Sequence, residues 1–341
     1  MVNVGINGFG RIGRMVVRAY FESRGHYNDV QIKCINDISD KDTNIHLLKY
    51  DSVHGRAPFD IIATDSGLSM NGSDIRMLSE PVPEKIDWAA HGVDIVLECS
   101  GRFTKRVDAE RHVRAGAKRV IVSAPSEGAD ITVVYGINHT GINSSHTVIS
   151  NGSCTTNCIA PIIYILDKEF SIEVGYMTTI HAYTGDQKLI DTVHKDLRRA
   201  RAAAVSMIPS STGAARAVGL ILPHLSGKLD GCAIRVPTAN VSLVDFKCLI
   251  KKRANADEVN ALMKKNSTDG FCGILAYNDE PLVSVDFNHS KESSIFDASG
   301  TKVLSNGDLG NGNFVRVMAW YDNEFGFSNR MLDLCQYMAS V

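Results

Sequence analysis

The stretch from residue 2 to residue 20, "VNVGINGFGRIGRMVVRAY", decides how this chain folds. A β-rich run, "VNVGIN", leads into Gly8-Phe9-Gly10-Arg11-Ile12-Gly13, and "RIGRMVVRAYFES" then takes up helical spacing. In a strand–turn–helix, the glycines of G-x-G-x-x-G permit a tight turn and let the backbone approach a pyrophosphate. Its charge then sits at the positive end of the helix. Glycine-rich turns are common, so the pattern alone is weak. It gains force from Asp37, 24 residues past Gly13, at the end of a second β-rich run, "VQIKCIND". A carboxylate there can hydrogen-bond both ribose hydroxyls of an adenosine and repel a 2′-phosphate. The competing account is a plain βα turn beside a solvated aspartate.

Outward from this stretch the same rhythm continues. "VDIVLECSG" and "KRVIVSAPS" are continuous apolar runs, as in strands buried on both faces, with helical spacing at 104–116 between them. This predicts a doubly wound parallel sheet. Residues 58–79, with Gly67 and Asn71-Gly72 as turn signals, read as a small antiparallel insertion. After residue 150 the texture changes. "EVGYMTTIHAY", "GCAIRVP", "NVSLVDFKCLI" and "EPLVSVDFN" are longer strand-like runs with fewer helices between them, predicting a mainly antiparallel sheet. Residues 184–213 are polar, basic and without regular period, as functional loops often are.

At 341 residues the chain exceeds the usual ceiling for one core, so two domains are expected. We place a nucleotide-binding domain at 1–150, completed by a C-terminal helix at 319–341, and an α+β catalytic domain at 151–318. The net charge of −2 gives no reason to expect nucleic acid or an anionic membrane as partner, and "HKDLRRARAAA" is a short mixed cluster. No signal-peptide pattern opens the sequence and no apolar run is long enough to span a bilayer. Eight cysteines could pair, but several lie inside apolar strand-like runs. Reduced thiols and a cytoplasmic location are therefore expected.

"SNGSCTTNCIAPI" at 150–162 carries two cysteines four apart. Cys154 lies just before a helical run, where the helix dipole favours a thiolate, while Cys158 falls one turn later. Bridging the two would distort a helix, and no further cysteine pair stands near to complete a metal site. Nucleophile and buried thiol both remain open for Cys154. His181, at a strand end in "TTIHAYTGDQ", is the candidate base, against the commoner alternative of a core histidine. Thr184, Arg199, Thr212-Gly213 and Arg235 lie at turns or strand ends and can hold phosphate oxygens. Arg201 reads equally well as a loop solvating residue.

Together these blocks resemble the phosphorylating glyceraldehyde-3-phosphate dehydrogenase family. The resemblance runs through "INGFGRIGR", "LLKYDSVHGR", "SNGSCTTNC", "HAYTGDQ", "HKDLRRARAAA", "PSSTGAARAVG", "RVPTANVS" and "WYDNEFGFSNRM", covering essentially the whole chain in the family's order. It implies a Rossmann-type NAD domain and a catalytic domain in a homotetramer, with the 184–207 loop near a neighbour's cofactor site. It implies that Cys154 attacks the aldehyde of glyceraldehyde 3-phosphate and carries the acyl group as a thioester to inorganic phosphate, with His181 as base. Ser153, Thr155, Thr212 and Gly213 match positions around the attacking phosphate. Thr184 and Arg235, with Arg199 close by, match those gripping the substrate's phosphate. Beside Gly8, Gly10 and Gly13, the positions Arg11, Ile12, Asp37, Arg76 and Ser123 match NAD contacts, and Asn323 matches the residue that holds the nicotinamide carboxamide. Phe327 stands where the family usually has Tyr, and Thr192-Val193 departs from a common Leu-Pro or Gly-Pro, so NAD over NADP rests mainly on Asp37. Erythrose-4-phosphate dehydrogenase, a non-catalytic dinucleotide-binding protein and a cysteine hydrolase are the alternatives.

Overall fold

The computed structural model describes residues 1–23, 25–305 and 311–340. Its contacts separate two compact units, Met1–Ser153 with Ser328–Val341, and Cys154–Phe327.

The first unit runs β1 (Val2–Asn7), α1 (Arg11–Glu22), β2 (Val30–Asn36), α2 (Lys41–Lys49), β3 (Tyr50–Asp51), β4 (Gly55–Arg56), β5 (Ile61–Thr64), β6 (Gly67–Met70), β7 (Ser73–Leu78), β8 (Ile95–Glu98), α3 (Arg106–Arg114), β9 (Arg119–Val122), β10 (Ile131–Thr132) and β11 (Val148–Ser150). Its main sheet has the order β10-β11-β9-β8-β1-β2-β7-β6-β5, and every pair from β10 to β7 is parallel. The continuous apolar runs explain the sheet's place between layers: Val4, Ile6, Leu97, Val120 and Ile121 are wholly buried. The stretch expected as an antiparallel insertion forms the hairpins β5–β6 and β6–β7, which extend the sheet at the β2 edge. Asn71 and Gly72 both have positive φ, 47° and 81°, which the tight turn between β6 and β7 requires.

The second unit runs α4 (Cys154–Phe170), β12 (Ile172–Ala182), β13 (Ile208–Ser211), α5 (Ala214–Ile221), β14 (Leu229–Val236), β15 (Ser242–Ala254), α6 (Ala256–Asp269), β16 (Leu275–Asn278), β17 (Ser294–Leu304) and β18 (Gly312–Tyr321). The sheet order is β13-β14-β12-β15-β18-β17-β16, antiparallel except for the β12–β14 and β16–β17 pairs. Burial alternates along β15, as it does where one sheet face packs on a layer and the other stays open. That layer includes α4, whose "CIAPII" segment is entirely buried and packs on β15, β17 and β18.

Two sequence expectations need correction. "EPLVSVDFN" is no strand: Ser284–Phe287 form a 3-10 turn, with the Asp286 carboxylate accepting the Val283 N–H at 2.8 Å. Its alternating valines, Val283 and Val285, are exposed, and only Phe287 enters the core. The C-terminal helix, expected over 319–341, is α7 (Phe325–Met338). Ala319–Tyr321 instead finish β18, with Ala319 opposite Val244 and Phe296 and Tyr321 opposite Ser242. Asp322 then stops the strand and caps the helix by accepting the N–H groups of Glu324 and Phe325. Val341 lies outside the described residues.

Candidate active site

In the first unit the glycine turn is built from backbone. Gly8 has φ +92°, and a Cβ there would lie 2.4 Å from the Ser100 backbone. At Gly13 a Cβ would meet the Gly8 carbonyl oxygen at 2.2 Å, so α1 can sit this close to the turn only as glycine. Gly10 is different: a Cβ there would meet nothing within 4 Å, so its bare backbone borders open space. Gly10 caps α1 and, lacking a side chain, gives the first turn no side-chain cap of its own. The Arg11 guanidinium is committed to Asp51, which also accepts the Val53 and His54 N–H groups. Against burial, those bonds bring the Asp51 carboxyl down to about 2.

Asp37 accepts the Phe9 N–H at 2.7 Å and the Ser39 N–H at 2.8 Å, which locks it beside the turn. Burial would raise its carboxyl, but these N–H groups hold it below its ordinary value, so it is charged at neutral pH. Asp37 lines a cleft with Asn7, Gly8, Asn36, Ser100 and Phe103. Arg76 is exposed on β7 in register with Cys34 of β2, and Ser123 follows β9 with its N–H on the Glu98 carbonyl. A buried network that the sequence reading missed supports the turn from beneath. Glu98 accepts the Ser100 N–H, the Asn7 amide at 2.6 Å and the His112 Nε2 at 2.9 Å, while Trp88 Nε1 donates to His112 Nδ1.

In the second unit, Cys154 opens α4 and its Sγ lies 3.5 Å from His181 Nε2. His181 is buried near the end of β12, directly beside Arg235 of the parallel strand β14. That register brings the Arg235 guanidinium to 2.6 Å from His181 Nδ1 and 3.0 Å from the Ala182 carbonyl oxygen. Nδ1 thus lies between a donor, the guanidinium, and an acceptor, the Ala182 carbonyl oxygen at 2.7 Å. Bonding to Arg235 puts the neutral ring's proton on Nε2, and bonding to Ala182 puts it on Nδ1 and leaves Nε2 open toward Cys154. Burial first, and then the charges of Arg235 and Arg199, depress His181 to about 3. Burial likewise raises the Cys154 thiol, while Arg235 and the Thr155 hydrogen bonds pull it down. At neutral pH these shifts favour a neutral thiol beside a neutral imidazole. The Nε of Arg235 is buried and has no partner, a donor left for an anion.

The sequence reading also missed Tyr321. Its ring meets the His181 ring edge-on at 5.9 Å, and its hydroxyl bridges Thr155 Oγ1 at 2.9 Å and Thr179 Oγ1 at 2.8 Å. Its neighbour Asn323 was the available signal. These contacts join Cys154, His181, Arg235 and Thr155 into one cluster. The other anion candidates keep local partners. The Thr184 N–H is on Gln187, Arg199 is on Asp186 at 2.7 Å and Ser210 at 3.3 Å, and the Thr212 hydroxyl accepts the Ala214 N–H beside Gly213, the cap of α5. Arg201 pairs with Asp191 in the open. Ser153 directly precedes Cys154 in the chain. Cys158 is buried, 3.7 Å from the Ser294 hydroxyl, and all eight cysteines are free thiols. No His/Cys/Asp/Glu cluster suited to a metal occurs among the described residues.

Comparison with known proteins gives matches along the chain. Residues 2–106 match the family model of the glyceraldehyde 3-phosphate dehydrogenase NAD binding domain, and residues 153–323 match that of the C-terminal domain. Glyceraldehyde-3-phosphate dehydrogenase of Xanthobacter flavus is 51% identical over 340 residues, covering 100% of this chain and 99% of the relative. Glyceraldehyde-3-phosphate dehydrogenase 1 of Bacillus cereus is 50% identical over 341 residues, with the same coverage. The Geobacillus stearothermophilus enzyme of that name is 51% identical over 340 residues, covering 99% of this chain and 98% of the relative.

Proposed function

The chain belongs to the glyceraldehyde-3-phosphate dehydrogenase family, and we propose that it oxidises glyceraldehyde 3-phosphate with NAD and inorganic phosphate to 1,3-bisphosphoglycerate. The observation that carries this reading is Cys154 at the start of α4, 3.5 Å from a ring nitrogen of His181, with the unpartnered Arg235 donor alongside. The backbone left open at Gly10 and the charged Asp37 fit a dinucleotide with a free 2′-hydroxyl.

Cys154 Sγ adds to the aldehyde carbon, a C–S bond forms, and the thiol's proton ends on the carbonyl oxygen, giving a hemithioacetal. His181 is the group placed to move that proton. NAD, when bound, supplies the acceptor for the hydride that leaves the hemithioacetal carbon. The oxygen's proton must leave as well, and for Nε2 to take it the ring's own proton must sit on Nδ1. The Ala182 carbonyl, 2.7 Å from Nδ1, is ready to accept that proton, provided Arg235 gives up its bond to the same nitrogen. A substrate phosphate drawing the guanidinium away would do this, and it would also lift the charge that depresses His181. Phosphate then attacks the thioester carbon, the C–S bond breaks, and the acyl phosphate leaves Cys154 as thiolate. Ser153, Thr155, Thr212 and Gly213 are assigned to the attacking phosphate, and Thr184, Arg199 and Arg235 to the phosphate of the substrate. Arg11 and Ile12 are assigned to the pyrophosphate through their N–H groups, since the Arg11 side chain is engaged by Asp51.

The loop after His181 exposes Leu189, Ile190, Val193, Leu197, Val205 and Met207, six large apolar side chains within one segment. We assign this surface to contacts between copies in a homotetramer, which light scattering on the purified protein tests. No described helix is long and apolar enough to cross a membrane, and the free thiols fit a reducing, cytoplasmic setting. The test of the activity is NADH formation from glyceraldehyde 3-phosphate with and without inorganic phosphate. Strong phosphate dependence is expected, and equal rates without phosphate would overturn the reading in favour of erythrose-4-phosphate dehydrogenase-like chemistry.

A further inference from the structure

Asn323 sits on a short bend between β18 and α7 that is held unusually tightly. Asp322 fixes the backbone on both sides. One of its carboxylate oxygens accepts the Glu324 and Phe325 N–H groups, and the other accepts the His289 N–H at 2.7 Å and the Asn240 amide at 2.8 Å. The Asn323 side chain is then left with one rotation that matters, the exchange of its oxygen and nitrogen. Those two ends have opposite hydrogen-bonding sense, so the exchange decides what the residue recognises.

Ser242, at the start of β15 and only 1% exposed, settles that exchange. Its Oγ accepts the Ala182 backbone N–H at 3.0 Å and lies 2.8 Å from Asn323 Oδ1. A backbone N–H can only donate, so the hydroxyl's single proton remains to be given, and Asn323 Oδ1 receives it. With Oδ1 bound, Nδ2 is turned to the opposite side and makes no hydrogen bond to any described residue. Reversing the amide would turn an N–H toward the Ser242 oxygen, which can accept it, but would leave the hydroxyl proton in a buried site without an acceptor.

We propose that Ser242 is a positioning residue that makes Asn323 a hydrogen-bond donor toward its ligand, and hence a reader of a carbonyl oxygen. On the reading given under Proposed function, that oxygen belongs to the carboxamide of the nicotinamide ring. The same hydroxyl holds the N–H of Ala182, the residue after His181, so the donor and the base are set by one side chain.

The test compares NAD with ADP-ribose, which keeps the adenosine and pyrophosphate but lacks the ring, by calorimetric titration of the full protein. Ser242→Ala should weaken NAD binding roughly fivefold to tenfold, the worth of one hydrogen bond, and leave ADP-ribose unchanged. Ser242→Thr, which keeps the hydroxyl, should restore NAD binding. Asn323→Asp provides a second route should Ser242→Ala fold poorly. Its carboxylate still accepts from Ser242 but has no donor, so NAD binding should fall toward that of ADP-ribose. Retention of the full NAD preference by Asn323→Asp overturns the inference, as does equal weakening of both ligands in a folded Ser242→Ala protein. A wild-type protein that binds NAD no tighter than ADP-ribose overturns the nicotinamide reading itself, and the inference with it.

Discussion

The glycine turn of the first unit and the cysteine cluster of the second solve opposite problems. The turn spans six consecutive residues, Gly8 to Gly13, and works by what it lacks: two Cβ atoms that would strike backbone and a third that would fill the open space at Gly10. The cluster draws Cys154, His181, Arg235 and Tyr321 from four elements separated along the chain, and it works by what each side chain adds. Adding atoms should therefore break the first, and removing atoms should break the second.

The largest expected effect is at Cys154, the proposed nucleophile. Cys154→Ala should lower phosphate-dependent NADH formation by at least on the order of 10⁴-fold without weakening NAD binding. Residual activity near wild type in a rate assay would remove Cys154 from the mechanism. His181→Asn comes next, with kcat down about 10²- to 10⁴-fold, the range for losing a general acid–base group.

The glycines sharpen the comparison because two neighbours should fail differently. Gly13→Ala should cost about 1–3 kcal/mol in urea unfolding, since its Cβ would lie 2.2 Å from the Gly8 oxygen. Gly10→Ala, with φ −74° and free space around it, should leave stability unchanged yet weaken NAD binding roughly tenfold or more. Equal stability losses for the two would erase the distinction drawn here.

Acid should expose the cost of burying a base. His181 titrates at about 3 in the folded protein, against 6.5 ordinarily, so the unfolded chain takes up the proton first as pH falls. The stability present above pH 6.5 is then lost across the window from 6.5 toward 3, at about 1.4 kcal/mol per pH unit from this group alone. By pH 5 that is about 2 kcal/mol, and His181→Asn should remove that part of the decline in a pH series of urea melts. The smallest effect is at the edge of the turn. Asp37→Ser should raise affinity for NADP relative to NAD roughly tenfold, as titration with both dinucleotides would report, because a charged carboxylate there repels a 2′-phosphate.

How much was legible followed the same divide. Gly8, Gly10, Gly13 and Asp37 could be found from spacing alone, since a turn between a strand and a helix is a local matter. The strand assignment at "EPLVSVDFN" failed because alternation there is satisfied by solvent and by an Asp286 turn rather than by a sheet partner. Tyr321, Ser242, Glu98 and His112 carried no local pattern. Their importance comes from residues as distant in sequence as Thr155 is from Tyr321.

The sequence by itself determined the two kinds of sheet, the nucleotide turn and the identity of the chemically able side chains, because periodicity and glycine placement act over a few residues. The tertiary structure alone decided their states. Strand register sets Arg235 beside the buried His181 and so keeps the ring neutral, and Ser242 turns the Asn323 amide. A protonation state or an amide rotation depends on the nearest charge or donor in space, and nothing in the order of residues records which one that will be.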